Sequence, residues 1–317
     1  MAQIAGTTDT FDLVGTAEDI ESVIYDISPT DTPYFSMCQR KKASATYHQW
    51  QVDSLAAHTQ LNAVVEGDDA AYATAAPTVM YGNCTQIARK TVLVSETADV
   101  VRKYGRAREL ARLVTKKGKE LKRDIEAVLT DNNARVAGGT GTAPETAGLG
   151  AWIATNDSLA GDGASPTGDG SDARTDGTQR AFTEDMLKSV MSSVWTAGGN
   201  PSVLMVGAFN KQKVSGFAGI AAQRYMAPAD GPTTIIGAAD VYLSDFGQLS
   251  VVPNRFQRAR DAWVLDTEMA AVCNLRPIQK VDLAKTGDAS KAMLIWEGGL
   301  EVSNEAAHGL IADLTTA

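Results

Sequence analysis

The sequence is poor in the residues on which most chemistry depends. It has 3 cysteines and 3 histidines in 317 residues. Cys38, Cys84 and Cys273 are far apart, with no CxxC and no Cys/His spacing. That excludes a disulfide framework and a zinc finger, and it marks the three as reduced and buried. His48, His58 and His308 have no second ligand at i+3 or i+4 and no neighbouring nucleophile motif such as GxSxG, so no catalytic and no metal residue is assigned. Positive charge is also in deficit: 29 Lys and Arg stand against 38 Asp and Glu, a formal net charge of -9. A surface built throughout to grip phosphate is thereby ruled out, although a local basic patch is not. No apolar run is long enough to cross a bilayer, and the N-terminus lacks a basic region followed by an apolar one, so no membrane partner is expected. Aromatic residues make up only 6%. The core must therefore be filled mainly by aliphatic side chains.

What is present is an ordinary globular load of apolar residues, 44%, with 28 glycines that point to long loops. Behind Thr16, the residues Ile20, Val23, Ile24 and Ile27 recur at helical spacing, which predicts a short helix over 16–28. Pro29 and Pro33 end it, and the chain is expected to run extended through Tyr34, Phe35 and Met37. Residues 46–54 alternate, with His48, Trp50 and Val52 on one side, and a second strand is expected over 83–95. Between them lies a polar, small-residue stretch whose tip is Gly67-Asp68-Asp69. The result is a long hairpin-like arm. An isolated two-stranded hairpin is marginal in water, so this one needs a partner surface.

The strongest periodicity runs from about Tyr104 to Asn133: Ala107, Leu110, Ala111, Val114, Leu121, Ile125, Val128 and Leu129 form one stripe, interrupted by Gly118. Its remaining faces are basic, with Arg106, Arg108, Arg112, Lys116, Lys117, Lys119, Lys122 and Arg123. Two readings stay open for them: contact with nucleic acid or an acidic partner, or a solvated face tied by internal ion pairs. Residues 135–180 read as a Gly-, Asp-, Ser- and Thr-rich loop with one apolar anchor at 149–154. It holds no GxxxxGK[ST], and Asp162, Asp169, Asp172 and Asp176 read as turn residues rather than as calcium ligands; no cofactor is assigned. Beyond it, helices are predicted over 183–197 and 208–217. Strands are predicted near 202–206, 241–243, 249–252, 277–283, 291–297 and from 300 onward.

An arm with DISPTDTPYFSM, a hairpin opening with YHQWQVDSL, a return strand NCTQIARKTVLVSETADVV and a helix ending RDIEAVL resemble, in that order, the major capsid proteins of tailed bacteriophages. The resemblance implies an α+β chain of the Hong Kong 97-type capsid fold. It would have an N-terminal arm (1–46), an extended E-loop hairpin (47–90) and a peripheral domain with a long spine helix and the Gly-rich loop (91–180). An axial domain (181–255) and C-terminal strands returning to the peripheral domain (256–317) would follow. It implies a structural subunit and not an enzyme. Such a subunit self-assembles as hexamers and pentamers into an icosahedral shell, the virion capsid, after being made in the host bacterial cytoplasm. Expected partners are further copies of the chain, a separate scaffolding protein, a portal, packaged double-stranded DNA contacted non-specifically, and a decoration protein. The residues it assigns to contacts between subunits are Tyr34 and Phe35 in the arm and Trp50, Glu66, Asp68 and Asp69 in the E-loop. Arg112, Lys116, Lys119 and Arg123 form the basic face of the spine helix. Two alternatives stand beside this reading: an encapsulin-like compartment, and a small-molecule enzyme using the Gly-rich loop at 138–177.

Overall fold

The structure, a computed structural model, describes residues 28–70, 72, 74–105, 107–217 and 240–317. The helix expected over 16–28 falls outside the described residues but for its last position. Two sheets and a separate hairpin organise the chain, giving a mixed α+β fold.

The first sheet has four strands in the order β1-β10-β11-β4: β1 Gln39–Lys42, β4 Gln86–Ser95, β10 Ala270–Leu283 and β11 Ala289–Val302. β11 is antiparallel to both neighbours, with Trp296 opposite Ala88 and Leu300 opposite Val272, whereas β1 joins β10 in parallel. Alternation sends Leu294, Trp296, Leu300 and Val302 inward, where they meet Leu121, Ile125 and Leu129 of the long helix α3 (Glu109–Leu129). Gly118 breaks the apolar pattern but not the helix; it lies over Leu294.

The second sheet has six strands in the order β5-β12-β9-β6-β8-β7: β5 Asp157–Ser158, β6 Val203–Val206, β7 Val241–Ser244, β8 Gly247–Pro253, β9 Ala262–Leu265 and β12 Gly309–Ile311. Its central strand β6 reads VLMV because both faces are covered. Val203 and Met205 point with Trp263 and Leu265 into the core shared with α3, while Leu204 and Val206 face Leu187, Val190, Met191 and Val194 of α4 (Glu184–Thr196). The Thr183 hydroxyl caps α4 by accepting from the Met186 amide, with Glu184 and Asp185 in the first turn. A shorter helix, α5 (Ala208–Val214), follows β6.

Several expectations need correction. The long helix begins at Glu109 and not near 104, because Gly105 takes a left-handed conformation at φ 72° and the Asp99 carboxylate caps the helix start by accepting from the Glu109 and Leu110 amides at 2.8 and 3.1 Å. Asp99 belongs to its own short helix, α2 (Glu96–Val100). At the other end Thr130 closes α3, and Asp131, Asn132 and Asn133 turn away. The strand expected over 83–95 is two strands, β3 (Val79–Cys84) and β4, because the chain leaves one sheet for another at Thr85. Residues 33–37 are not extended but form helix α1 (Pro33–Met37): Pro33, which has no amide hydrogen to lose, occupies the first helical position instead of blocking it. The C-terminal strands do not all return to one sheet. β10 and β11 join the four-stranded sheet, whereas β9 and β12 complete the six-stranded one.

The loop at 131–180 has little regular structure and yet is fixed in place. Ala147, Leu149, Ala151, Trp152 and Ile153 are core residues, and Arg174 is fully buried against Asp261 at 2.8 Å. Asn132 exchanges two hydrogen bonds with Arg174 backbone atoms, donating at 2.7 Å and accepting at 2.9 Å. Asp169 accepts from the Ser171 amide at 2.8 Å, a local turn contact, whereas Asp172 accepts from the Thr167 amide at 3.0 Å and Asp162 reaches across the loop to the Thr178 amide at 2.8 Å. Asp313, the one described non-glycine residue with positive φ, reaches back to accept from the Ala160 and Gly177 amides and from Arg260. The whole segment is therefore a covering for the core rather than a free surface loop.

Candidate assembly surface

β2 (Tyr47–Val52) pairs with β3 in an antiparallel ladder from Tyr47 opposite Cys84 to Val52 opposite Val79. Its alternating exposure follows from having one face on the body. At the base, Gly299 lets the hairpin close on the first sheet: a Cβ there would stand 2.9 Å from the Cys84 carbonyl oxygen. Asn83 then bridges the body, donating to Leu300 O at 2.7 Å and accepting from the Ala147 amide at 2.9 Å. Trp50 lies against Trp152 with ring centroids 5.2 Å apart, and Tyr81 meets the same indole edge-on. His48 Nε2 stands 2.9 Å from Glu301 Oε2, and Lys41 Nζ is 2.6 Å from Oε1 of the same carboxylate. The base of the hairpin is thus bonded at several points.

Every described residue from 53 to 80 is exposed, among them Leu55 and Tyr72 at 99%, with Leu61, Val64 and Val65 close behind. Each such side chain is worth about 1.5–3 kcal/mol when removed from water. A stretch with five of them in the open is a surface awaiting a partner. Glu66, Asp68 and Asp69 sit at its tip, where the Asp68 amide donates to Val65 O at 3.1 Å across a turn made by Gly67 at φ 82°.

The arm residues behave differently. Tyr34 and Phe35, assigned to a contact between subunits, are buried in this chain's own core beside α3. Their amides, the first two of α1 able to donate, give hydrogen bonds of 2.8 and 2.6 Å to the Glu126 carboxylate of α3, which also accepts from Asn254 Nδ2 at 2.6 Å. Burial raises the Glu126 pKa even though the three donors oppose it. Trp50 is half-buried in the same way on Trp152.

The basic helix face is divided. Arg112 is 2.5 Å from Glu109 one turn away, Lys117 pairs with Glu120 at 2.7 Å, and Arg123 lies over the Phe256 ring at 5.3 Å. These side chains are engaged inside the chain. Lys116, Lys119 and Lys122 are exposed, and none has an ion-pair partner among the described residues. Sequence periodicity located this face but missed Glu126, the buried Arg174 and Asp261, and the meeting of His48 with Glu301, because each joins residues far apart in the chain.

An exposed hairpin loop anchored at its base, a long helix on a four-stranded sheet and a second sheet flanked by helices define the class: tailed-phage capsid proteins of the Hong Kong 97-type fold. Solved shells have the same fold at low identity. The cyanophage A-1(L) capsid asymmetric unit aligns with a TM-score of 0.68 at 14% identity over 97% of this chain and 98% of that one. Phage G major capsid and decoration proteins align with a TM-score of 0.56 at 9% identity over 99% and 100%. The family model of the SU10 major capsid protein matches residues 3–315, and the chain belongs to that family. It is 28% identical over 318 residues to the major capsid protein of Escherichia phage Phieco32, covering 90% of each.

Proposed function

We propose that this chain is the major capsid subunit of a tailed phage, assembling as hexamers and pentamers into an icosahedral shell around double-stranded DNA, with the loop at 53–78 reaching onto the adjoining subunit. The observation that carries the reading is the loop itself, whose described residues are all exposed and which holds Leu55, Leu61, Val64, Val65 and Tyr72 in the open. A contact of this kind is heterologous, so it closes into rings and continues into a lattice. Family membership supports the shell, and the similar phage G structure of major capsid and decoration proteins supports an outer partner of that kind.

In this reading residues 1–46 are the arm, 47–90 the E-loop, 91–180 the peripheral domain, 181–255 the axial domain and 256–317 the C-terminal strands. Glu66, Asp68 and Asp69 meet the neighbour at the loop tip. Lys116 and Lys119, joined by Lys122, offer a positive stripe to DNA or to an acidic scaffolding protein, while Arg112 and Arg123 shape the helix surface around them. The shell is made in the host cytoplasm and receives its portal during assembly. Among the described residues no helix is long and apolar enough to cross a membrane. The role is structural and non-enzymatic. Within the 138–177 loop, Asp169 and Asp172 accept from the Ser171 and Thr167 amides and Arg174 pairs with Asp261 at 2.8 Å. Electron microscopy of the full chain expressed with its scaffolding protein tests the proposal: closed icosahedral particles are expected, and a fixed small oligomer would overturn it.

A further inference from the structure

The four-stranded sheet brings together a set of donors that the sequence keeps apart. In the register of β10 and β11, Glu301 lies opposite Ala271 and Gly299 opposite Cys273. Cys273 and Glu301 are therefore diagonal neighbours on one face. The hairpin, seated on Gly299, adds His48 from β2 above them. The ligand atoms of His48, Cys273 and Glu301 all lie within 4.8 Å of one another. Oε2 of Glu301 is 2.9 Å from His48 Nε2 and 3.1 Å from Cys273 Sγ. Cys273 and Glu301 are buried and His48 half-buried.

We propose that His48, Cys273 and Glu301 form a site for a divalent transition-metal ion, zinc foremost, which fastens the base of the hairpin to the body. One sulfur, one imidazole nitrogen and one carboxylate oxygen form a donor set that suits a borderline-soft, tetrahedral ion and not magnesium or calcium. Metal bonds of about 2.0–2.3 Å at tetrahedral angles place donors about 3.3–3.7 Å apart. The observed His–Glu and Cys–Glu separations open to that range with small side-chain rotations. The carboxylate is already oriented for the task. Its other oxygen, Oε1, accepts from Lys41 Nζ at 2.6 Å and from Ser303 Oγ at 3.2 Å, so Oε2 is left to face the histidine and the thiol. Lys41 is thus a positioning residue that balances charge and need not leave. On binding, the thiol gives its proton to solvent and the sulfur becomes a thiolate ligand; a water completes the four-coordinate shell.

The test is titration of the purified, chelator-treated full chain with Co(II), a spectroscopic stand-in for zinc. One equivalent per chain should produce a thiolate-to-cobalt charge-transfer band in the near ultraviolet together with intense tetrahedral visible bands, and Zn(II) should displace both. Cys273→Ser should abolish the charge-transfer band. His48→Gln, at a half-exposed position, should weaken binding by more than about 100-fold, and Lys41→Gln by about 10-fold. Absence of a charge-transfer band from the unaltered chain at one equivalent would overturn the proposal without any variant. So would a band that survives in Cys273→Ser, because it would put the ion on another cysteine.

Discussion

Glu126→Ala is the substitution with the largest consequence that the structure allows to be worked through. The side chain is fully buried and has no cation partner among the described residues, but it accepts from two α1 amides and from Asn254 Nδ2. Pro33 supplies no donor and Thr32 makes no side-chain cap, so the start of α1 depends on a residue of α3 more than ninety positions away, since Tyr34 and Glu126 are separated by 92. Truncation leaves three buried donors without an acceptor, each costing about 1–3 kcal/mol, while it relieves the burial of one charge. The net loss of unfolding free energy should be about 3–5 kcal/mol. Glu126→Gln keeps the volume and one acceptor but turns an amino group toward an amide hydrogen, so it should lose about 1–3 kcal/mol. Urea unfolding of unassembled chain gives the total, and hydrogen exchange at residues 33–38 shows whether α1 detaches before the body unfolds. An alanine variant within about 0.5 kcal/mol of the parent would refute the reasoning, because it would mean that α1 is held by its apolar side chains alone.

Two further predictions follow from buried or unpaired charge. His308 is completely buried, which depresses its pKa below the ordinary imidazole value, and its Nδ1 accepts from the Asp266 amide at 3.3 Å. The unfolded chain binds a proton near pH 6.5 and the folded chain only at lower pH, so stability is full above about 6.5 and falls as pH drops from there toward the folded pKa. Urea midpoints should decline over that window in the parent and less steeply in His308→Gln; equal slopes would contradict the assignment. Reversing Lys116, Lys119 and Lys122 to Glu should change folding stability little, by about 0.5 kcal/mol per site or less, while it impairs DNA retention or scaffold binding. DNA-filled particles at normal yield from that triple variant would remove the role given to this face.

The parts of the fold legible in the sequence are those set by local pattern. α3 and α4 follow from apolar spacing, and the α4 start from Thr183, because capping and periodicity are interactions within a few residues. The hairpin follows from the alternation of β2. What escaped is set by partners distant in the chain. The helix at 33–37 depends on Glu126, and composition made 135–180 look like free loop although Arg174, Asp261 and Asp313 tie it down. Tyr34 and Phe35 look like surface aromatics only until α3 is placed behind them. The cluster of His48, Cys273 and Glu301 joins residues 253 and 28 positions apart, a separation at which no motif spacing can speak. The exposed loop tip, by contrast, was readable from Gly67-Asp68-Asp69 because turn chemistry is local.

The role of the hairpin is tested most directly by replacing residues 53–78 with Asn-Gly, which closes the ladder by a two-residue turn next to the Val52–Val79 pair. Because every described residue of that segment is exposed, the shortened protein should keep its circular dichroism and its urea midpoint. Coexpressed with scaffold, it should yield no closed particles by sedimentation and electron microscopy. Shells of normal size from the shortened chain would contradict the claim that this loop joins one subunit to the next.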